Sequence, residues 1–286
     1  MKSFNDCFEL NNGIQIPCIG YGTYKSTDGC GTENIKTALE VGYRYFDTAS
    51  FYKNEEMIGM AIEESGIERE DLFLASKVWK TEMGYENTKK AFQESLDRLK
   101  TDYLDLYLIH WPLPEPGYAN WEQLIAETWK AMEELYEEGK VKAIGLSNFL
   151  PHHIESLLKT AKVKPMVDQI EFHPGYTQEM TVSYCQERDI VVQAWSPLGR
   201  TRMFENVLLK ELADKYQVTP AQICIRYALQ RQIIPLPKAS SAERMKQNQN
   251  VFGFEISQED MYRIGTMQPA GWSGEHPDFE RVFFNK

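Results

Sequence analysis

The feature that most constrains the fold is a regular alternation of short apolar runs with longer segments of helical periodicity. The pattern repeats eight times over roughly 250 residues, a typical length for a closed barrel of strands and helices. Short strands that are each followed by a helix favour a parallel sheet covered by helices. We therefore predict an α/β fold, a (β/α)8 or TIM barrel, with strands at residues 18–22, 44–47, 72–76, 104–109, 143–146, 166–170, 190–194 and 233–236.

A β-hairpin is predicted ahead of the barrel. Two short apolar runs, residues 8–10 and 14–16, flank Asn11-Asn12-Gly13, and Asn-Gly supplies the positive φ angles of a tight turn. Two helix starts also have recognisable signals. Asn54 precedes two glutamates, and residues 219–222, TPAQ, combine an N-cap Thr, a Pro at the first helical position and a Gln three residues after the cap.

Composition narrows the class of protein. The net charge of −11 argues against nucleic acid or an anionic membrane as the main partner. No apolar run approaches the ~20 residues that cross a bilayer, and the first residues lack the apolar stretch of a signal peptide. Five widely spaced cysteines favour reduced thiols. With no linker rich in proline or serine, residues 1–286 are predicted to form a single domain in the cytoplasm.

Three titratable side chains stand at the ends of predicted strands, namely Asp47, Lys77 and His110. The carboxyl ends of the strands of such a barrel meet at one rim. A single polar residue after a strand usually only begins a loop. An Asp, a Lys and a His that face one cavity are instead the arrangement expected of an active site.

The sequence blocks around these residues resemble the aldo-keto reductase family. Residues 42–52, GYRYFDTASFY, are similar to its signature, in which an Asp and a Tyr five residues later belong to a catalytic tetrad. The blocks with Lys77 and His110 match the other two members. The resemblance covers essentially the whole chain, and residues 271–278, GWSGEHPD, are most similar to microbial members that include the 2,5-diketo-gluconate reductases. Further matches are GLSNF at 145–149, QIEFHP at 169–174, AWSPLG at 194–199 and IPLPK at 234–238.

The resemblance implies reduction of a carbonyl group with a bound nicotinamide cofactor. Tyr52 would donate the proton, Lys77 would lower the pKa of Tyr52, and Asp47 would hold Lys77 charged. His110 would orient the carbonyl oxygen. Residues 20–25, GYGTYK, do not complete the G-x-G-x-x-G fingerprint, so the cofactor site would be built from other residues at the barrel mouth.

The cofactor that the resemblance implies is NADPH. Two cations, Lys238 and Arg244, suit the 2′-phosphate. Trp195 would stack on the nicotinamide ring where most relatives have Tyr, and Ala239 stands where many relatives have Ser. The implied cofactor-binding residues are Thr23, Ser147, Asn148, Gln169, Trp195, Ser196, Leu198, Lys238, Ser240, Arg244 and Asn248.

Aromatic side chains dominate the substrate pocket that the resemblance implies. Such walls suit aldehydes, ketoaldehydes and cyclic ketones. A metal ion is not expected, because His152-His153 lacks metal-ligand spacing and is predicted to face solvent. The family likeness implies a monomer. The pocket residues are Tyr24, Trp79, His110, Trp111 and Trp272, with Tyr24 in place of a Trp common in relatives.

Two other classes of function stay open at this point. A barrel aldolase would use Lys77 as a Schiff-base lysine and would need no nicotinamide. That reading leaves Ser147, Asn148, Trp195 and the segment 238–244 without a role. A non-catalytic relative would bind the cofactor as a regulatory module, against which the intact tetrad argues. The physiological substrate, the favoured direction and the oligomeric state do not follow from the sequence.

Overall fold

The computed structural model describes residues 1–283 and contains the predicted barrel. A two-stranded antiparallel hairpin comes first, and within the described residues it is followed by a parallel sheet of eight strands in sequence order. Each of the eight predicted strands overlaps an observed one, so the predicted fold is confirmed. The hairpin strands are β1 (Cys7–Glu9) and β2 (Gln15–Pro17). The barrel strands are β3 (Tyr21–Gly22), β4 (Tyr45–Asp47), β5 (Phe73–Val78), β6 (Leu106–Ile109), β7 (Ile144–Ser147), β8 (Val167–Glu171), β9 (Val191–Trp195) and β10 (Ile233–Pro235).

Helices cover the outside of the sheet. Within residues 1–283 no helix combines the length and the apolar character needed to cross a bilayer. The helices are α1 (Glu33–Glu40), α2 (Glu55–Ser65), α3 (Tyr85–Leu99), α4 (Trp121–Glu137), α5 (Pro151–Leu158), α6 (Glu179–Gln186), α7 (Val207–Tyr216), α8 (Pro220–Gln230), α9 (Ala242–Gln249) and α10 (Gln258–Gly265).

Two hydrogen bonds close the sheet into a barrel. The N–H groups of Gly20 and Gly22 donate to the carbonyl oxygens of Pro235 and Pro237, at 3.1 and 3.2 Å, and so join the first strand to the last. A Cβ atom on Gly22 would lie 2.7 Å from the Leu236 carbonyl oxygen. The two strands can approach this closely because residue 22 has no side chain.

The hairpin closes the opposite, amino end of the barrel. The Asn11 side chain donates to the carbonyl oxygens of Pro165 and Asp189, at 3.0 and 3.2 Å, and the Asn12 side chain donates to that of Lys142 at 3.0 Å. These three carbonyl groups precede β8, β9 and β7. The hairpin therefore covers the amino end of the barrel, and the carboxyl end is the one that can hold a site.

Local signals in the sequence are borne out to different degrees. The capping box of Thr219 and Gln222 forms as predicted. In the hairpin turn Gly13 takes a positive φ of 86°, but Asn12 does not, and its side chain accepts from a main-chain N–H instead. Asn54 precedes α2 without capping it. Its amide donates to the Thr23 carbonyl oxygen at 2.8 Å, so it connects two barrel loops.

A buried carboxyl group, Asp168, lies on the outward face of β8. Its Oδ2 atom is 3.8 Å from the Cys185 thiol, and its Oδ1 atom has no hydrogen-bond partner within residues 1–283. Burial raises the pKa of Asp168 to about 8. Hydrogen bonds from Phe149 and Cys185 lower this pKa, but burial has the larger effect. The folded protein therefore holds this group protonated at neutral pH.

We predict that Asp168→Asn stabilises the protein at neutral pH. An unfolded Asp ionises near pH ~3.9, so between that pH and about 8 the folded state holds one extra proton and stability falls as pH rises. The amide keeps the shape of the protonated acid and removes this pH dependence. Thermal unfolding should show a gain of several degrees at pH 8 and almost none at pH 4. The exposed Asp102→Asn is the control, and an equal gain at both pH values would contradict the account.

Candidate active site

Four side chains from successive parts of the barrel meet at its open end. Asp47 ends β4, Lys77 lies near the end of β5, and His110 directly follows β6. Tyr52 ends the short 3-10 helix after β4. The Tyr52 ring centroid lies 5.6 Å from that of His110 and 5.1 Å from Lys77 Nζ. The structure therefore brings together the four residues that the sequence predicted as a tetrad.

A buried ion pair forms the base of this cluster. Lys77 Nζ donates to Asp47 Oδ1 at 2.7 Å and to the Thr48 carbonyl oxygen at 2.8 Å. The Lys77 side chain is 0% exposed. Burial lowers the pKa of Lys77, while the Asp47 carboxylate opposes this change. The lysine is thus fixed in position and has no surface open to solvent.

The Tyr52 side chain is partly buried. Burial raises the pKa of Tyr52 well above its ordinary value, Asp47 and Tyr24 raise it further, and the charge of Arg200 acts in the opposite direction. The expected lowering of this pKa by Lys77 does not prevail, because burial and the Asp47 carboxylate raise the pKa of Tyr52. Tyr52 is therefore protonated at neutral pH, which is the form that a proton donor needs.

His110 is a neutral imidazole in this site. Burial lowers its pKa well below the ordinary value, and the charges of Lys77 and Lys80 lower it further. Within the described part of the chain its Nδ1 atom is buried without a hydrogen-bond partner. Nε2 is consequently the nitrogen that can reach a substrate, and a neutral ring can donate from it to a carbonyl oxygen.

Amide, hydroxyl and indole groups lie directly beside the tetrad. Asn148 Nδ2 donates to the His110 carbonyl oxygen at 2.9 Å, and its Oδ1 accepts from Trp195 Nε1 at 2.8 Å. Ser147 Oγ donates to the Gln169 carbonyl oxygen at 2.8 Å. These bonds hold Trp195 at the mouth, next to groups of the kind that recognise a carboxamide.

The loop after β9 has unusual backbone. Ser196, Arg200 and Thr201 all have positive φ angles, between 49° and 69°. The Arg200 guanidinium carbon lies 5.7 Å from the Trp195 ring centroid, while Leu198 is partly buried against the core. A left-handed conformation of a β-branched residue is strained, and such strain concentrates at functional loops.

The first strand and the last strand are linked above the barrel closure. Lys238 Nζ donates to the Lys25 carbonyl oxygen at 2.8 Å, and Thr23 Oγ1 donates to the Asp47 carbonyl oxygen at 2.8 Å. Thr23 is fully buried, while Lys238 is exposed. Thr23 therefore supports the strand that ends in Asp47, and the Lys238 ammonium lies at the surface near the rim.

A second cation follows Lys238 in the first turn of α9. Ser241 caps this helix, and Arg244 Nε donates to the Ser241 hydroxyl at 3.2 Å. Arg244 and Ser240 are exposed, whereas Asn248 is buried in the same helix. The capping hydroxyl belongs to Ser241, so Ser240 does not cap the helix. The contact of Ser240 with a cofactor stays a prediction.

Aromatic rings form a wall beside His110. Phe51 stacks on Trp79 with ring centroids 3.8 Å apart, and Trp79 meets the His110 ring edge-on at 4.9 Å. On the other side of the tetrad Tyr24 lies 5.0 Å from the Tyr52 ring. The tetrad therefore opens between two aromatic walls.

The other two predicted pocket residues lie further out. Lys80 Nζ is 4.9 Å from the Trp111 ring centroid, and burial lowers the pKa of Lys80. Trp272 stacks on Tyr176 at 5.9 Å and donates from Nε1 to the Glu275 carbonyl oxygen at 3.0 Å. Trp111 thus lies near Trp79, with Lys80 close to both rings. Trp272 belongs to the segment after α10, and its part in substrate binding stays a prediction.

The prediction that His152 and His153 face solvent is wrong for His153, whereas His152 is exposed. His153 is buried, and its Nε2 atom lies 2.8 Å from Asp278 Oδ1, while His152 Nε2 lies 3.4 Å from Oδ2. His153 Nδ1 accepts from the Leu150 N–H, so the single proton of the neutral ring is on Nε2. The three potential ligand atoms lie within 4.8 Å of one another. The proton on Nε2 favours an anchor for the tail segment over a metal site.

Sequence reasoning missed three residues that shape the site. Phe51 has no role in the site predicted from the sequence, yet it stacks on Trp79 beside the tetrad. Glu171 is a buried carboxylate that accepts from the Ser273 N–H and hydroxyl, at 3.0 and 2.7 Å, and so fixes the tail. Gln193 is a polar residue inside an otherwise apolar strand. That last pattern is a usable signal, since a polar side chain within a barrel needs a partner.

Comparison with known proteins decides the family. The model of the Aldo/keto reductase family matches residues 19–268. The chain belongs to the aldo-keto reductase family. It is 45% identical to the glyoxal reductase of Bacillus subtilis over 277 residues, which cover 96% of this chain and 98% of that protein.

Solved structures agree with this assignment. The aldo-keto reductase MGS-M4 from a Medee basin deep-sea metagenome library is 40% identical with a TM-score of 0.89, over 96% of this chain and 100% of that one. The Bombyx mori aldo-keto reductase in complex with NADP is 33% identical with a TM-score of 0.83, over 92% of each chain. This aldo-keto reductase is thus an oxidoreductase that reduces carbonyl compounds with a nicotinamide cofactor.

The buried ion pair gives a prediction about stability. Asp47→Asn leaves the Lys77 charge without a counter-ion in the barrel, and removing one member of a buried pair costs about 3–5 kcal/mol. Adding Lys77→Met removes the second charge and should recover much of the loss without recovering activity. Urea unfolding measures both effects. The ion-pair account is contradicted if the single and double variants unfold at the same urea concentration.

Proposed function

We propose that this aldo-keto reductase catalyses the NADPH-dependent reduction of aldehydes and ketones to alcohols, with Tyr52 as the proton donor. The observation that carries the proposal is the meeting of protonated Tyr52 with neutral His110 above the buried Asp47–Lys77 pair. Two donors then face one point at the barrel mouth, where a carbonyl oxygen would lie. The bound nicotinamide supplies the hydride.

Each residue of the tetrad has a distinct task in this proposal. His110 donates from Nε2 to the carbonyl oxygen and orients it. Tyr52 gives its proton to the oxygen as negative charge develops there. The Asp47–Lys77 pair keeps a positive charge 5.1 Å from the Tyr52 ring, where it can stabilise the phenolate left behind. The aromatic walls exclude water from the reacting atoms.

The donor set at the mouth fits a nicotinamide cofactor. Ser147, Asn148 and Gln169 offer hydroxyl and amide groups for the carboxamide, and Trp195 offers an aromatic face for the ring. Ser196 and Leu198 would follow the pyrophosphate, with Thr23 and Asn248 at the edges of the site. Lys238 and Arg244 are exposed cations in a protein of net charge −11, which supports binding of the 2′-phosphate of NADPH.

We infer that small aldehydes and dicarbonyl compounds are the preferred substrates. The glyoxal reductase of Bacillus subtilis, 45% identical, supports this class, and so do the flat walls formed by Phe51, Trp79 and Trp111. Lys80 near Trp111 would also favour a carboxylate-bearing sugar acid. Assays of NADPH consumption with nitrobenzaldehyde, phenylglyoxal, methylglyoxal and diketo-gluconate separate these groups.

The aldolase alternative is disfavoured by the position of Lys77. Its side chain is 0% exposed and its ammonium is held by Asp47 and Thr48, so no substrate carbonyl can approach the amine. Borohydride trapping with substrate should leave Lys77 unmodified. We further propose that residues 1–286 act as one monomeric domain in the cytoplasm, which gel filtration and cell fractionation test.

Tyr52→Phe should lower kcat for aldehyde reduction by about 10²–10⁴-fold, because the proton donor is lost. The dissociation constant of NADPH should stay within about twofold of wild type, since the hydroxyl does not hold the cofactor. Steady-state kinetics and fluorescence titration give both values. Tyr103→Phe, the same change away from the site, is the control. A Tyr52→Phe variant with near wild-type turnover would exclude Tyr52 as the donor.

Arg244→Ala should lower kcat/KM for NADPH by about 10–100-fold, since a charge-assisted contact to phosphate is lost. The value for NADH should change by less than about twofold, because NADH has no 2′-phosphate. Lys246→Ala, an exposed cation on the same helix, is the matched control. Equal losses with both cofactors would contradict the assignment of Arg244 to the phosphate.

A further inference from the structure

Lys80 holds a positive charge against the aromatic wall of the site. It begins the short 3-10 helix Lys80–Glu82, directly after Trp79. Its Nζ atom is 5.8 Å from the Trp79 ring centroid and 4.9 Å from the Trp111 ring centroid. Two indole rings therefore attract this ammonium, which places it at the edge of the predicted substrate pocket.

This charge has no counter-ion in contact with it. Within residues 1–283 the Lys80 ammonium has neither an ion-pair nor a hydrogen-bond partner. The acids that act on it from a longer distance are Glu275 and Glu280, both in the segment after α10. Glu275 Oε1 pairs with Arg281 Nη1 at 3.0 Å, so this carboxylate already has a cation.

The surroundings of Lys80 suit a negatively charged ligand. The residue is partly buried, and burial lowers its pKa although Glu275 and Glu280 oppose the change. A charge that has lost part of its water without gaining a partner is in an unfavourable state. A bound anion would supply the missing partner, and the ammonium has three donors to offer it.

The ammonium is also close to the tetrad. The Trp79 ring meets the His110 ring edge-on at 4.9 Å, so the imidazole and the ammonium border the same indole. The Lys80 charge contributes to the lowered pKa of His110. His110 is the residue that orients the carbonyl oxygen in the proposed function. A substrate held there can lie along Trp79 and extend its far end to Lys80.

We propose that Lys80 is a specificity-determining residue that binds a carboxylate at the end of the substrate remote from the reacting carbonyl group. The inference rests on the proposed function and deepens it, because it states which of two aldehydes of the same shape is preferred. Trp79 and Trp111 flank the apolar body of such a substrate, and the Lys80 ammonium donates to its carboxylate. A neutral aldehyde of the same shape leaves the ammonium without a partner.

The test uses two aldehydes that differ in one charge. 4-Carboxybenzaldehyde has its carboxylate across the ring from the aldehyde, and its methyl ester has a similar shape without the charge. NADPH consumption gives kcat/KM for both compounds in the wild-type protein and in Lys80→Met, which keeps the length of the side chain. We expect the acid-to-ester ratio to fall by about tenfold or more in Lys80→Met, because a charge-assisted contact is lost. The loss should lie in KM, since Lys80 does not touch the reacting atoms.

Controls separate recognition of the charge from a general effect of the substitution. The ratio cancels any change in folding or in His110, because both compounds present the same aldehyde to the tetrad. Lys80→Arg keeps the charge and should stay within about threefold of the wild-type ratio. Lys90→Met removes a lysine on α3 whose side chain is 78% exposed, and it should have the wild-type ratio. Salt at about 0.5 M should lower the ratio of the wild-type protein and leave that of Lys80→Met unchanged.

Two results would overturn the inference while the proposed function stands. One is an acid-to-ester ratio that is the same in the wild-type protein and in Lys80→Met, and the other is an equal fall in Lys90→Met. A folded wild-type protein that reduces neither the acid, the ester nor phenylglyoxal with NADPH would instead overturn the proposed function, and the role of Lys80 with it. The ester distinguishes these cases, because its reduction needs the tetrad and the cofactor but no cation at residue 80.

Discussion

The buried ion pair of Asp47 and Lys77 is the constraint on which the open end of the barrel depends. A lysine that is 0% exposed needs a partner at close range, and Asp47 at 2.7 Å with the Thr48 carbonyl oxygen at 2.8 Å provides it. Thr23 and Gln169 bond to the main chain and side chain of Asp47. The neighbouring strands are therefore linked to one buried pair of charges at the open end of the barrel.

The same pair sets the protonation states around it. Tyr52 lies beside this pair, and burial together with the Asp47 charge raises its pKa and keeps its hydroxyl protonated. His110 is kept neutral by burial and by the charges of Lys77 and Lys80. A protonated phenol and a neutral imidazole are both hydrogen-bond donors. The open end of the barrel thus places two hydrogen-bond donors side by side, with ring centroids 5.6 Å apart.

Much of the barrel and the tetrad could be predicted because both leave local signals. Apolar runs mark the strands, and Asp47, Lys77 and His110 directly follow or end them. What failed depended on contacts between distant segments. Burial and the Asp47 carboxylate raise the pKa of Tyr52. Buried His153 lies beside Asp278, which is more than a hundred residues away in the sequence. Gln193 gave a signal within its strand, but its partners Gln169 and Tyr45 come from other strands and are defined only by the fold.

The central claim is that hydride passes to a carbonyl carbon held by Tyr52 and His110. The most direct measurement uses NADPH deuterated at the transferable position of the nicotinamide ring, with phenylglyoxal or methylglyoxal as substrate and mass spectrometry of the product. The account predicts an alcohol with a single deuterium on the former carbonyl carbon, formed in step with loss of NADPH absorbance. A product without deuterium, or a carbonyl compound consumed while NADPH is not, would contradict it.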